Sequence, residues 1–121
     1  MFLAKARDPR FWETVRTDPR YRFFLDELLA QYEEYGRGEI VDISYDAFMN
    51  YHRTGSRLLF ERTYYFPRRL RLKACTFLSL IYPDNPEYFS NLCNTLWAIL
   101  NEYYPEIYSL MQSPDFLIYF L

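Results

Sequence analysis

Residues Phe60 to Tyr104 read FERTYYFPRRLRLKACTFLSLIYPDNPEYFSNLCNTLWAILNEYY, and this stretch decides the fold. From Leu70 the apolar positions are Leu70, Ala74, Phe77, Leu78 and Ile81. After Pro83-Asp84-Asn85 they are Phe89, Leu92, Cys93, Leu96, Leu100 and Tyr103. Each set makes one helical stripe and neither alternates as a strand would. The spacing predicts two helices joined by a tight turn, each burying its stripe.

Working outward, four dipeptides mark helix starts: Asp8-Pro9, Asp18-Pro19, Asn85-Pro86 and Ser113-Pro114. A capping residue needs extended dihedrals, and a following proline enforces them. Proline in the first helical turn forfeits no hydrogen bond it could have made. A first helix is expected from about Pro9 to Arg16, with Phe11, Trp12 and Val15 inward. A second runs from Pro19 to Tyr35, with the stripe Tyr21, Phe24, Leu25, Leu28, Tyr32, Tyr35. Gly36 is its expected left-handed stop. Ile40 to Ile43 read as an extended arm, since their β-branched side chains disfavour helix. Ser44 caps a third helix, with Asp46 in its first turn and Tyr45, Phe48, Met49 and His52 on one face, ended by Gly55. A fourth segment covers Ser56 to Phe66, and Pro67 either kinks it or begins the next helix. Pro105 is expected to end the second hairpin helix. Pro114 to Leu121 (PDFLIYFL) is almost wholly apolar and must bury itself against the core, a partner or a further part of the protein.

These signals predict an all-α fold of antiparallel helical hairpins. One helical domain over residues 1–121 is expected, either whole or the N-terminal piece of a larger protein. The chain is long enough for a real core. It has 3 Gly, which disfavours a turn-rich β fold, and it is 21% aromatic, with 13 Tyr and 11 Phe. Its 14 basic and 16 acidic residues give a net charge of −2, without the basic excess of a nucleic-acid binder. No apolar run reaches the roughly 18 residues of a membrane span, and Met1 to Arg7 lacks the apolar core of a secretory signal. Cys75 and Cys93 lie on either side of the turn, where they read as buried thiols in one layer of the core. The cytoplasm is the expected compartment.

Chemistry-bearing constellations are thin. His52 is the single histidine, so a His-based metal cluster cannot form within the chain, and no Gly-rich phosphate loop is present. No metal or cofactor is expected. His52 reads as a surface or packed residue, with a base as the sharper alternative. Arg68, Arg69, Arg71 and Lys73 form the densest basic cluster. A guanidinium fork suits carboxylates and sulfates, while the plainer role is a solvated face paired with Glu61 or Glu102. Tyr64, Tyr65, Tyr103 and Tyr104 fit either core packing or a sugar-stacking surface. Glu33 and Glu34 are adjacent on a helix and point apart, which makes a poor acid/base pair.

Gly55-Ser56-Arg57, Phe60-Glu61-Arg62 and the run Tyr65-Phe66-Pro67-Arg68-Arg69-Leu70-Arg71-Leu72 resemble the N-terminal helical part of heparinase II/III-like proteins, polysaccharide lyases and their relatives. Trp97-Ala98-Ile99, followed by Glu102-Tyr103, is similar to the end of a helix in that family. The likeness covers about half the chain, Ser44 to Tyr104. It implies part of an α/α toroid that binds acidic polysaccharide in a groove, followed in the family by a β-sandwich. The reaction it implies is β-elimination beside a uronic acid, which needs a neutralised carboxylate, a base and an acid. Here Tyr104 is followed by Pro105-Glu106-Ile107, and the family's His-containing segment is missing. No catalytic residue carries over. The resemblance implies a supporting domain, inactive alone, whose Arg68, Arg69, Tyr104 and His52 would contact the polysaccharide. A second expectation is a free-standing interaction module that self-associates through Phe116, Ile118 and Phe120.

Overall fold

The computed structural model describes residues 2–40, 42 and 44–101. Every regular element among them is helical, and no strand occurs among the described residues. Five residues open the chain as α1 (Phe2–Ala6), which the sequence did not announce. Then follow α2 (Pro9–Thr17), a 3-10 turn (Pro19–Tyr21), α3 (Arg22–Gln31) and a wide π turn (Tyr32–Gly36). After a loop come α4 (Tyr45–Thr54) and α5 (Leu58–Phe60), and a second π turn (Glu61–Tyr65) runs straight into α6 (Phe66–Ile81). The last described helix is α7 (Pro86–Leu100).

The proline-marked starts hold where they can be seen. Asp8 Oδ1 accepts from the Arg10 N–H at 3.0 Å, Asp18 Oδ1 from Arg20 at 2.9 Å, and Asn85 Oδ1 from Glu87 at 3.0 Å. Ser44 Oγ likewise caps α4 through the Ala47 N–H. Ser113-Pro114 lies outside the described residues. Asn85→Ala is expected to cost about 1 kcal/mol. Urea unfolding should show a lower midpoint at unchanged slope, and an unshifted midpoint would remove the cap from the account. Pro67 begins α6 without interrupting the rod. The π turn occupies the place where its ring would otherwise press on the carbonyl one turn back.

The core is formed by α2, α3 and α6, through Trp12, Val15, Leu25, Leu28, Tyr32, Ala74, Cys75, Leu78 and Ile81. Ring edges knit it: Phe77 meets Phe24 at 5.5 Å and Trp12 at 5.9 Å between centroids. Trp12 donates its indole N–H to the Ala6 carbonyl at 2.8 Å, which ties α1 down. α7 folds back antiparallel on α6 through the turn at Tyr82–Asn85, where the Asn85 N–H bonds the Tyr82 carbonyl. A satellite cluster joins α4 to the next helix through Phe48, Phe60 and Tyr64.

Three expectations are corrected. Gly36 is not a left-handed stop: the positive-φ residues are Gly38 and Gly55, and Gly36 is buried under the Tyr32 ring. Gly55 does end α4 in the left-handed region, at φ 72°. Most of the expected α7 stripe faces outward, with Cys93 exposed and Phe89 62%, Leu96 41% and Leu100 76% exposed, while Leu92 packs against the core and Tyr103 lies outside the described residues. It is Thr95 that is buried, flanked by half-buried Tyr88, Asn91 and Leu92. The cysteines do not share a core layer, because Cys75 is buried and Cys93 exposed. Ile40 and Asp42 are non-helical, in keeping with the expected arm, and Val41 and Ile43 lie outside the described residues.

Candidate functional site

The arginine cluster divides by depth. Arg71 is 3% exposed and Arg68 5% exposed, so neither belongs to a solvated face. Arg71 lies between α6, α7 and the loop after the π turn. Its Nε donates to Thr95 Oγ1 at 2.8 Å and its Nη2 to Asn91 Oδ1 at 3.3 Å. Its Nη1 reaches the carbonyls of Tyr35, Arg37 and Gly38 at 3.1 to 3.3 Å. These acceptors are neutral, and three of them close the C-terminal end of the α3 segment, where the helix dipole favours a cation. Arg71 is thus a structural fork that holds the helix end.

Arg68 points to the same loop. Its Nη2 meets Asp42 Oδ1 at 2.6 Å, and its guanidinium lies 4.6 Å from the centre of the Tyr64 ring. Of the two expected partners, Glu61 pairs instead with Arg57 at 3.6 Å, and Glu102 lies outside the described residues. A cavity of about 130 Å³ lies between this loop and α6, lined by Tyr35, Arg37, Tyr64, Arg68 and Arg71 among others.

Arg69 takes the other direction. It is half-buried, with its guanidinium 5.0 Å from the Tyr65 ring centre. Tyr65 and Phe66 are 40% and 48% exposed, Arg62 is exposed and Lys73 is half-buried. Positions 62, 65, 66, 69 and 73 recur at helical spacing and so share one side of the rod. Charge is also concentrated here. Between Arg53 and Lys73 the chain has seven basic residues, half of its total of 14, and a single acid, Glu61. A net charge near zero conceals this segregation. Sequence reasoning found Arg69 but missed Arg53, Arg57 and Arg62, which a running charge sum would have exposed.

His52 is exposed near the end of α4, on a different helix from Arg68, Arg69 and Arg71. Tyr104, Phe116, Ile118 and Phe120 lie outside the described residues. Burial pushes the Cys75 thiol up, which disfavours the thiolate a nucleophile needs. Burial also raises the Tyr32 phenol, opposed by its hydrogen bond with Asn91. Among the described residues no three His, Cys, Asp or Glu converge as metal ligands, and no helix is long and apolar enough to cross a membrane. Among the described residues the arrangement offers cations and aromatic faces for binding.

No protein-family model, curated protein or solved structure matches this chain.

Proposed function

We propose that this chain is a non-catalytic helical domain related to the N-terminal part of heparinase II/III-like lyases, and that it binds acidic polysaccharide along the Arg62–Lys73 face. The observation that carries the binding is the grouping of exposed Arg62 with half-buried Arg69 and Lys73 on one side of the rod, the Arg69 guanidinium lying beside the exposed Tyr65 ring. Guanidinium groups suit uronate carboxylates and sulfates, and exposed aromatic faces suit the apolar side of a sugar ring. The antiparallel α6–α7 hairpin supports the family reading, as do the family-like runs at its two ends. Arg69 keeps its expected role, while Arg68 is reassigned to holding the loop through Asp42.

Calorimetric titration with heparin, hyaluronan and neutral dextran tests the binding. Heparin and hyaluronan are expected to bind, more weakly as salt rises, and dextran not at all. Arg62→Gln with Arg69→Gln should weaken binding about tenfold, or roughly 1.4 kcal/mol. Equal affinity for dextran, or no effect of the double substitution, would refute this face. The chain alone is expected to release no unsaturated uronate, followed by its ultraviolet absorbance. Activity from these residues would overturn the non-catalytic assignment.

A further inference from the structure

From Tyr88 to Asn101 the chain has no charged side chain, although α7 is a surface helix. Its inner side is settled by Tyr88, Leu92 and Thr95. Its outer side presents Phe89, Cys93, Leu96, Trp97 and Leu100, at helical intervals of four, three, one and three. Leu96 is 41% exposed and the two aromatics and Leu100 considerably more. Taking ~150–250 Å² for a whole aromatic side chain, the stripe leaves on the order of 500 Å² of apolar surface in contact with water. A patch of about that size is among the largest that a monomer ordinarily leaves exposed, and such patches are often functional.

We propose that the outer face of α7 binds the same face of a second copy of this chain about a two-fold axis. This stands on a different surface and a different observation from the proposed polysaccharide binding. Two features select a second copy over a charged partner. A two-fold contact brings like side chains together, and this face has no charge to repel its own image. Its middle position is the small Cys93, between Phe89 and Trp97, which lets two helices approach closely while the large side chains interdigitate on either side. The area is also sufficient for such a pair. Two stripes bury about 1,000 Å² together, the lower end of what a specific interface needs. A dimer of micromolar dissociation constant is therefore expected, forming and separating with concentration.

Sedimentation velocity on the whole chain, from about 1 to 200 µM, reads the association directly. A species of twice the chain mass is expected to grow with concentration. Trp97→Asp with Leu100→Asp should weaken it tenfold or more while leaving the helical circular dichroism unchanged, since both positions are exposed. Maleimide labelling of the wild-type chain provides a measurement that needs no variant. Cys93 is the exposed thiol and Cys75 is buried. Labelling of Cys93 should slow as the dimer forms. A monomer at every concentration with fast labelling would overturn the proposal by showing the face bare. A monomer with slow labelling throughout would overturn it by showing that the chain covers its own face. A dimer indifferent to the double substitution would place the contact elsewhere.

Discussion

Arg71→Met is expected to lower the unfolding free energy by about 4 kcal/mol, the largest loss expected from any single polar side chain among the described residues. Methionine fills much of the same volume, so the loss comes from hydrogen bonding. The guanidinium satisfies the carbonyls of Tyr35, Arg37 and Gly38, the Thr95 hydroxyl and the Asn91 amide oxygen from one planar group. Removing it leaves several part-buried acceptors with nothing to replace it, and each such group costs about 1–3 kcal/mol, with overlap between them. Arg71→Lys should recover only part of the loss. An ammonium is a point donor and cannot span the helix end and α7 together. Urea unfolding monitored by circular dichroism measures both. A loss under about 1 kcal/mol for Met would show that water takes over the carbonyls and that Arg71 is not the clasp described.

Gly36→Ala is expected to cost about 3 kcal/mol, an unusual penalty for one methyl group. A Cβ at this position would collide with Cδ2 of the Tyr32 ring and sit 2.8 Å from Cε2. The ring has little room to retreat. It is 1% exposed, packs edge-on against Tyr88 at 4.8 Å between centroids, and accepts at its hydroxyl from Asn91 Nδ2 at 2.7 Å. A double-mutant cycle separates this clash from a general effect on the turn. In a Tyr32→Ala background, Gly36→Ala should cost almost nothing, because its obstacle is gone. An undiminished penalty there would assign the cost to the π-turn backbone.

What could be read from the sequence was what local chemistry determines. Asp8-Pro9, Asp18-Pro19 and Asn85-Pro86 announce themselves because a cap and its helix are neighbours in the chain. Gly55 was legible for the same reason. Gly36 was not, because a glycine answers either a backbone need or a crowding need, and the crowding comes from how the Tyr32 ring is held by Tyr88 and Asn91. Spacing put Arg68 and Arg71 on one side of α6 correctly. It could not say that this side faces inward, since the reason lies in carbonyls some 35 residues earlier. The α7 stripe failed differently. With Tyr88, Phe89, Leu92, Leu96, Trp97, Ile99 and Leu100, that helix is greasy most of the way round, and periodicity does not single out one buried side. Thr95, a polar residue among apolar neighbours, is inside where its hydroxyl accepts from Arg71 Nε. Of the candidate site, Arg68, Arg69 and Arg71 were visible, while Arg62 and the division between clasp and surface were not.

The same polar contact has a consequence for how α7 is seated. A helix greasy on nearly every side could roll about its axis, or slide by a turn along α6, and bury a similar area at each setting. Asn91 and Thr95, four residues apart, both meet the one fixed fork of Arg71, and Asn91 also engages Tyr32. Only one azimuth and one height satisfy those bonds together. The polar pins act as an index mark on an otherwise featureless cylinder. They decide which of its sides is spent on the core and which is left to meet the outside.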